Sequence, residues 1–230
     1  MLNVNKILTA SAFVLSAGTA NAAYIDFIDL TEGAGNLGES AWSTLSLMDD
    51  SLSVNITGTG TSDDDGSQFA YLDWGTAGLG VCKDVSSQDT KYSGSKTNRC
   101  NPSSDDNITS NEYLTFTFLQ DTLVTGLFVN SNHDSPNYFS LGEGVLLNGS
   151  VTSVTNYGSG FSGDAKNFNK LVTDAFTVGA NQSFTLGYSD KQFYLSKMTF
   201  EATSVPEPGT LALLGLGLAG LGVARRRKQS

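Results

Sequence analysis

Basic residues, cysteine, histidine and long apolar runs are all scarce in this 230-residue chain, and each shortage removes a class of function. There are 13 Lys and Arg against 23 Asp and Glu, a formal net charge of −10. Nucleic acid and anionic lipid repel such a surface, so neither is expected as a partner. With 2 cysteines and 1 histidine, the chain has a poor ligand set for zinc. Any Ser-His-Asp hydrolase built here would have to use His133 as its base. The body of the chain holds no G-x-S-x-G elbow to present a nucleophile, so His133 reads as a turn or surface residue. Nowhere do 18 or so apolar residues run together as a full membrane span requires.

What is present begins at the two ends. Met1 to Ala22 carries Lys6, an apolar stretch from Ile7 to Ala17, and the small-x-small triplet Ala20-Asn21-Ala22. This is the pattern of a secretory signal peptide, with cleavage by signal peptidase expected before Ala23. At the other end, Val205-Pro206-Glu207-Pro208 precedes an uncharged Leu/Gly/Ala run, Leu211 to Ala224, and then Arg225, Arg226, Arg227 and Lys228 follow without a gap. Fourteen helical residues rise roughly 21 Å, short of the ~30 Å hydrocarbon core. The expected C-terminal hydrophobic helix is therefore a transient anchor, with its four cations as a cytoplasmic stop. Pro206 and Pro208 separate it from the folded part.

The order of these three features at the C-terminus resembles the PEP-CTERM sorting tail of Gram-negative bacteria. The resemblance covers about the last tenth of the chain and implies a substrate of exosortase, a membrane transpeptidase-like enzyme. It implies Pro206, Glu207 and Pro208 as the recognition motif, Arg225 to Lys228 as the stop, and export in company with exopolysaccharide. The expected division is then 1–22 signal peptide, 23–204 folded domain and 205–230 sorting segment. The destination is an inner-membrane-anchored precursor that becomes a cell-surface or extracellular protein.

Removing the ends takes away Lys6, the four terminal cations and Glu207, which leaves 8 basic and 22 acidic residues in the domain. In an exported chain the two thiols, Cys82 and Cys100, are expected to pair. The polar segment between them, Lys83 to Arg99, has little apolar periodicity of its own.

The body reads as strand nearly throughout. Segments rich in Thr, Val, Phe and Tyr are expected at 24–30, 41–48, 52–59, 69–74, 112–119, 123–130, 144–147, 174–178, 183–188 and 193–202. Leu52/Val54/Ile56, Leu114/Phe116/Phe118 and Phe184/Leu186/Tyr188 alternate with polar residues, the period-two signature of one buried and one wet face. Gly, Asn, Asp and Ser cluster between them, and no helix period is evident. The expected fold is all-β: a two-sheet antiparallel sandwich, jelly-roll-like, with a closed barrel as the alternative.

Two acidic loops are candidate calcium sites, because calcium takes six to eight oxygens. One holds Asp63 and Asp65 in Ser62-Asp63-Asp64-Asp65-Gly66, but Leu72 stands where an EF-hand would need its bidentate Glu. The other holds Asp105 and Asp106, with Glu112 opening a strand. Plain solvated turns are the favoured reading of both, since Asp and Asn favour turns. Sugar binding would show as exposed rings: Tyr157 and Phe161 lie in a Gly/Ser-rich stretch, whereas Trp42 and Trp74 are expected in the core. The expected role is a non-enzymatic structural or exopolysaccharide-binding module, and the rival is a secreted polysaccharide-acting hydrolase, whose paired carboxylates have no sequence signature.

Overall fold

The computed structural model describes residues 22–32, 37–48, 52–60, 68–86, 99–101, 106–131, 139, 143–158, 168–171 and 173–202. The first strand, β1 (Ala22–Asp26), runs directly into a one-and-a-half-turn helix, α1 (Phe27–Glu32). A strand was expected over 24–30; the chain coils instead because Asp26 caps it. Its Oδ1 accepts from the amides of Ile28 and Asp29 at 3.1 and 3.2 Å, satisfying two of the donors a helix start leaves open. The 41–48 segment also divides, into β2 (Ser40–Trp42) and β3 (Leu45–Met48).

There follow β4 (Ser53–Gly60), β5 (Phe69–Asp73), β6 (Gly78–Cys82), the short β7 (Val85–Ser86) and β8 (Arg99–Cys100), then β9 (Glu112–Phe118) and β10 (Thr122–Asn130). The remainder is β11 (Gly144–Leu147), β12 (Ser150–Gly158), β13 (Phe168–Leu171), β14 (Phe176–Val178), β15 (Ser183–Gly187) and β16 (Tyr194–Ala202). The all-β, antiparallel expectation holds among the described residues.

In place of two separate sheets, one hydrogen-bonded path runs β2-β5-β6-β16-β10-β13-β12-β11-β15-β9-β4-β3, with β1 added on β16 and β14 on β10. The long β12 makes it continuous, since Leu146 and Leu147 pair with its first residues and Leu171 to Phe168 with its last. Its two terminal strands, β2 and β3, are joined by only Ser43 and Thr44, so the end of β2 and the start of β3 lie close together. The sheet therefore bends round until it is nearly barrel-shaped. Where β4 meets β5 across the interior, Gly58 has no room for a side chain: a Cβ there would sit 2.5 Å from the Phe69 carbonyl oxygen.

Period-two alternation fills the inside. Val54 and Ile56 of β4, Leu114, Phe116 and Phe118 of β9, and Phe184 and Leu186 of β15 are all buried in one hydrophobic cluster. Phe184 organises it, stacked on Phe116 at 4.7 Å and meeting Phe176 edge-on at 5.3 Å.

The strand termini sort into two poles. Register places the start of β1 beside the end of β16 (Ala22 opposite Glu201) and the end of β16 beside the start of β10 (Thr122 opposite Ala202). The ends of β4, β6, β10 and β12, and the starts of β5, β9 and β13, lie at the opposite pole. At the β1–β16 clasp, Lys197 faces Asp26 in register and its ammonium lies 3.8 Å from the centre of the Tyr24 ring. Burial holds the Asp26 carboxyl above its usual range and the Lys197 ammonium below its own, each partly offset by the other's charge.

Candidate functional site

Cys82 and Cys100 form the expected disulfide, with Cα atoms 5.6 Å apart, in a small cluster with Ala41 and Tyr71. Glu39 bridges the region: it accepts from the Tyr71 hydroxyl at 2.8 Å and pairs with Arg99. Burial, with the Glu39 charge beside it, pushes the Tyr71 hydroxyl far above its ordinary range.

Of the acidic residues read as calcium candidates, Asp106 and Glu112 are described and both are buried. Protein donors engage them. The Tyr194 hydroxyl donates to Asp106, and Glu112 accepts from the amide and hydroxyl of Thr109, both at 2.8 Å, with the Lys83 ammonium 3.6 Å from its other oxygen. Among the described residues, no three Asp, Glu, His or Cys side chains gather as a metal site would require. Asp63, Asp65, Asp105, His133 and Phe161 lie outside the described residues, as do the signal peptide up to residue 21 and the sorting segment. Tyr157 falls in the second half of β12.

The tryptophans divide: Trp42 packs against the hydrophobic core as expected, and Trp74 does not. Trp42 is half-buried, its indole nitrogen donating to Ser40 at 3.0 Å, but Trp74 is 53% exposed. It follows the end of β5, in a turn that Gly75 and Thr76 complete with φ of 79° and 68°. A β-branched residue seldom adopts that region. The buried Asn130 side chain braces the turn by donating to the Ala77 carbonyl at 2.8 Å.

A groove of about 650 Å³ opens on the outward face of β9, β15 and β11. Register brings its parts together: Tyr113 lies opposite Gly187, and Gly187 opposite Leu146, although the three are far apart in the chain. Gly187 makes the floor. A Cβ there would come within 3.1 Å of the Tyr113 Cβ and would protrude into the groove. Tyr113 and Tyr188 line it and are partly exposed, Tyr188 also packing against the hydrophobic core, while Ser110, Asn111, Thr185 and Ser189 supply polar groups at the rim. Glu112 is the one ionisable carboxylate among the lining residues, and only 2% of it is exposed. Such a site, apolar with a few hydroxyl and amide groups, suits a neutral, hydroxyl-rich ligand.

An all-β domain with one disulfide and a tail reserved for sorting defines an exported protein handled through its C-terminus. Residues 204–228 match the family model of the PEP-CTERM protein-sorting motif. The chain is thus a PEP-CTERM-containing exosortase substrate, sorted to the cell surface. No curated protein matches it. Among the described residues, no helix is long and apolar enough to cross a membrane.

Proposed function

We propose that this chain is a non-enzymatic component of the cell surface or extracellular matrix whose β domain binds exopolysaccharide. Signal peptidase removes the first 22 residues, the apolar segment holds the precursor at the inner membrane for a time, and exosortase then releases it. The observation that carries the binding role is the groove in which Tyr113 and Tyr188 flank the bare floor at Gly187. Tyrosine rings offer faces for sugar rings to stack on and hydroxyls for them to bond.

A hydrolase would need two carboxylates facing one another across roughly 5 to 10 Å of substrate. The groove lining offers Glu112 alone, already engaged with Thr109 and Lys83. The test is a pull-down with the exported protein and exopolysaccharide from the producing cells. Retention of the polymer without new reducing ends is expected. Release of reducing sugar, abolished by Glu112→Gln, would establish the hydrolase instead.

A further inference from the structure

The groove occupies one end of a larger surface. On β4, β9 and β15, the residues between the buried ones point outward, and register aligns them in rows that cross the strands. Leu146, Gly187, Tyr113 and Thr59 form the row that includes the groove. Below it lie Thr185, Thr115 and Thr57, and below those Ser183, Thr117 and Asn55. Several of these polar groups are already oriented by one another: Thr117 and Ser183 share a hydrogen bond of 2.9 Å, and the Ser46 hydroxyl donates to Asn55 at 2.7 Å. Neighbouring positions repeat at about 4.8 Å across the strands and about 6.7 Å along them.

What distinguishes this face is its charge. The domain carries 22 acidic residues, yet none of the outward positions of β3, β4, β9 and β15 among the described residues is charged. Threonine suits a pleated surface, and cross-strand Thr pairs stabilise it, so its presence alone means little. A solvated sheet face in so acidic a chain would ordinarily carry some of the Asp, Glu and Lys that keep such surfaces soluble. Here the acids are elsewhere. An uncharged face made mostly of hydroxyl-bearing residues, with Asn55 and the exposed Met48 among them, neither attracts nor repels ions, but it offers donors and acceptors at fixed spacing to a neutral polymer rich in the same groups.

We infer that the groove is the first subsite of a track for one extended, neutral glycan chain, which leaves the Tyr113–Gly187 floor and lies across the hydroxyl rows of β9 and β4. From β11 to β3 the track crosses four inter-strand steps, roughly 19 Å, so several sugar residues are held at once. The inference rests on the exopolysaccharide-binding reading and adds the ligand's class, its extension and its path.

The test uses the exported protein and linear neutral oligoglucosides and mannosides from the disaccharide upward, with the polyanion alginate alongside. Affinity for the neutral series should rise about tenfold or more with length before levelling off, the pattern of contacts added one after another. Thr115→Glu and Thr57→Glu, each placing a charge on the track outside the groove lining, should weaken the longest chains about tenfold and leave the disaccharide unchanged. Tyr113→Ala should weaken every length. Equal affinity for short and long chains, or long-chain binding indifferent to both charged variants, overturns the track and leaves the groove standing. Binding of alginate in preference to the neutral glycans also overturns it. If none of the neutral glycans binds, the polysaccharide-binding reading fails together with the track. The length series on the unaltered protein decides the matter even if a charged variant misfolds.

Discussion

The same three strands, β4, β9 and β15, present two opposite faces, and their difference separates what holds this protein together from what it offers to a partner. Inward, Val54, Ile56, Leu114, Phe116, Phe118, Phe184 and Leu186 are almost wholly excluded from solvent. Outward, the alternate positions hold Asn55, Thr57, Thr59, Tyr113, Thr115, Thr117, Ser183 and Thr185, with every one at least partly exposed. A single alternation thus supplies both the fold and the candidate binding surface. Substitutions on the two faces should therefore fail in different ways.

The largest effect belongs inside. Phe116→Ala removes a ring stacked on Phe184 and leaves a cavity, so it should cost about 3 to 5 kcal/mol in chemical denaturation. Replacing Cys82 and Cys100 with serine should cost about 3 kcal/mol, because the unfolded chain regains the freedom of a loop spanning 18 positions. Reduction of the native protein should reproduce that loss.

A smaller effect belongs to the β1–β16 clasp. The Asp26 carboxyl titrates above its ordinary value of 3.8 in the folded protein, so the folded state holds the proton more tightly than the unfolded one. Its contribution to stability is present below pH 3.8 and is lost as pH rises through the folded value. Lys197, shifted down from 10.5, acts with the reverse sign: its contribution is present above pH 10.5 and is lost as pH falls through the folded value. Asp26→Asn, which keeps the capping oxygen, should flatten the acid-side slope of stability against pH and, by removing a charge that holds the Lys197 ammonium up, steepen the alkaline side. The smallest effect belongs outside. Thr115→Val should change stability by no more than about 0.5 kcal/mol, and its consequences should appear in glycan binding alone.

The alternation of Leu114/Phe116/Phe118 made one face of the sheet legible from the sequence, and the pairing of Cys82 with Cys100 followed from their number and the export signals. Both depend on local pattern or simple counting. Other features escaped because they show no local period or depend on pairing at a distance. The α1 helix is too short to show a period, and its one signal is the cap at Asp26. The break between β2 and β3 is invisible locally, since it reflects partners, β5 and β4, that lie on opposite ends of the path. Much of β12, Ser-Val-Thr-Ser-Val-Thr, is solvated and so lacked an apolar alternation to mark it.

The groove was the least legible part. Its floor is a missing side chain at Gly187, and its walls, Tyr113 and Leu146, reach it only through strand register. Tyr188 packs against the core with Phe184 and Leu186 as alternation predicts, but lies just beyond the end of β15 and also lines the opening. Tyr157 and Phe161 stand out in the sequence for their glycine-rich neighbours, and Phe161 lies outside the described residues. The outward polar series carries a separate clue in its lack of charge.

Methyl chemical shifts of the exported protein during titration with a long neutral glycan test the two-face account most directly. The threonine methyls of Thr57, Thr115 and Thr185 should move together, while the inward methyls of Val54, Leu114 and Leu186 stay in place. Saturable binding that leaves all three threonine methyls unmoved would contradict it.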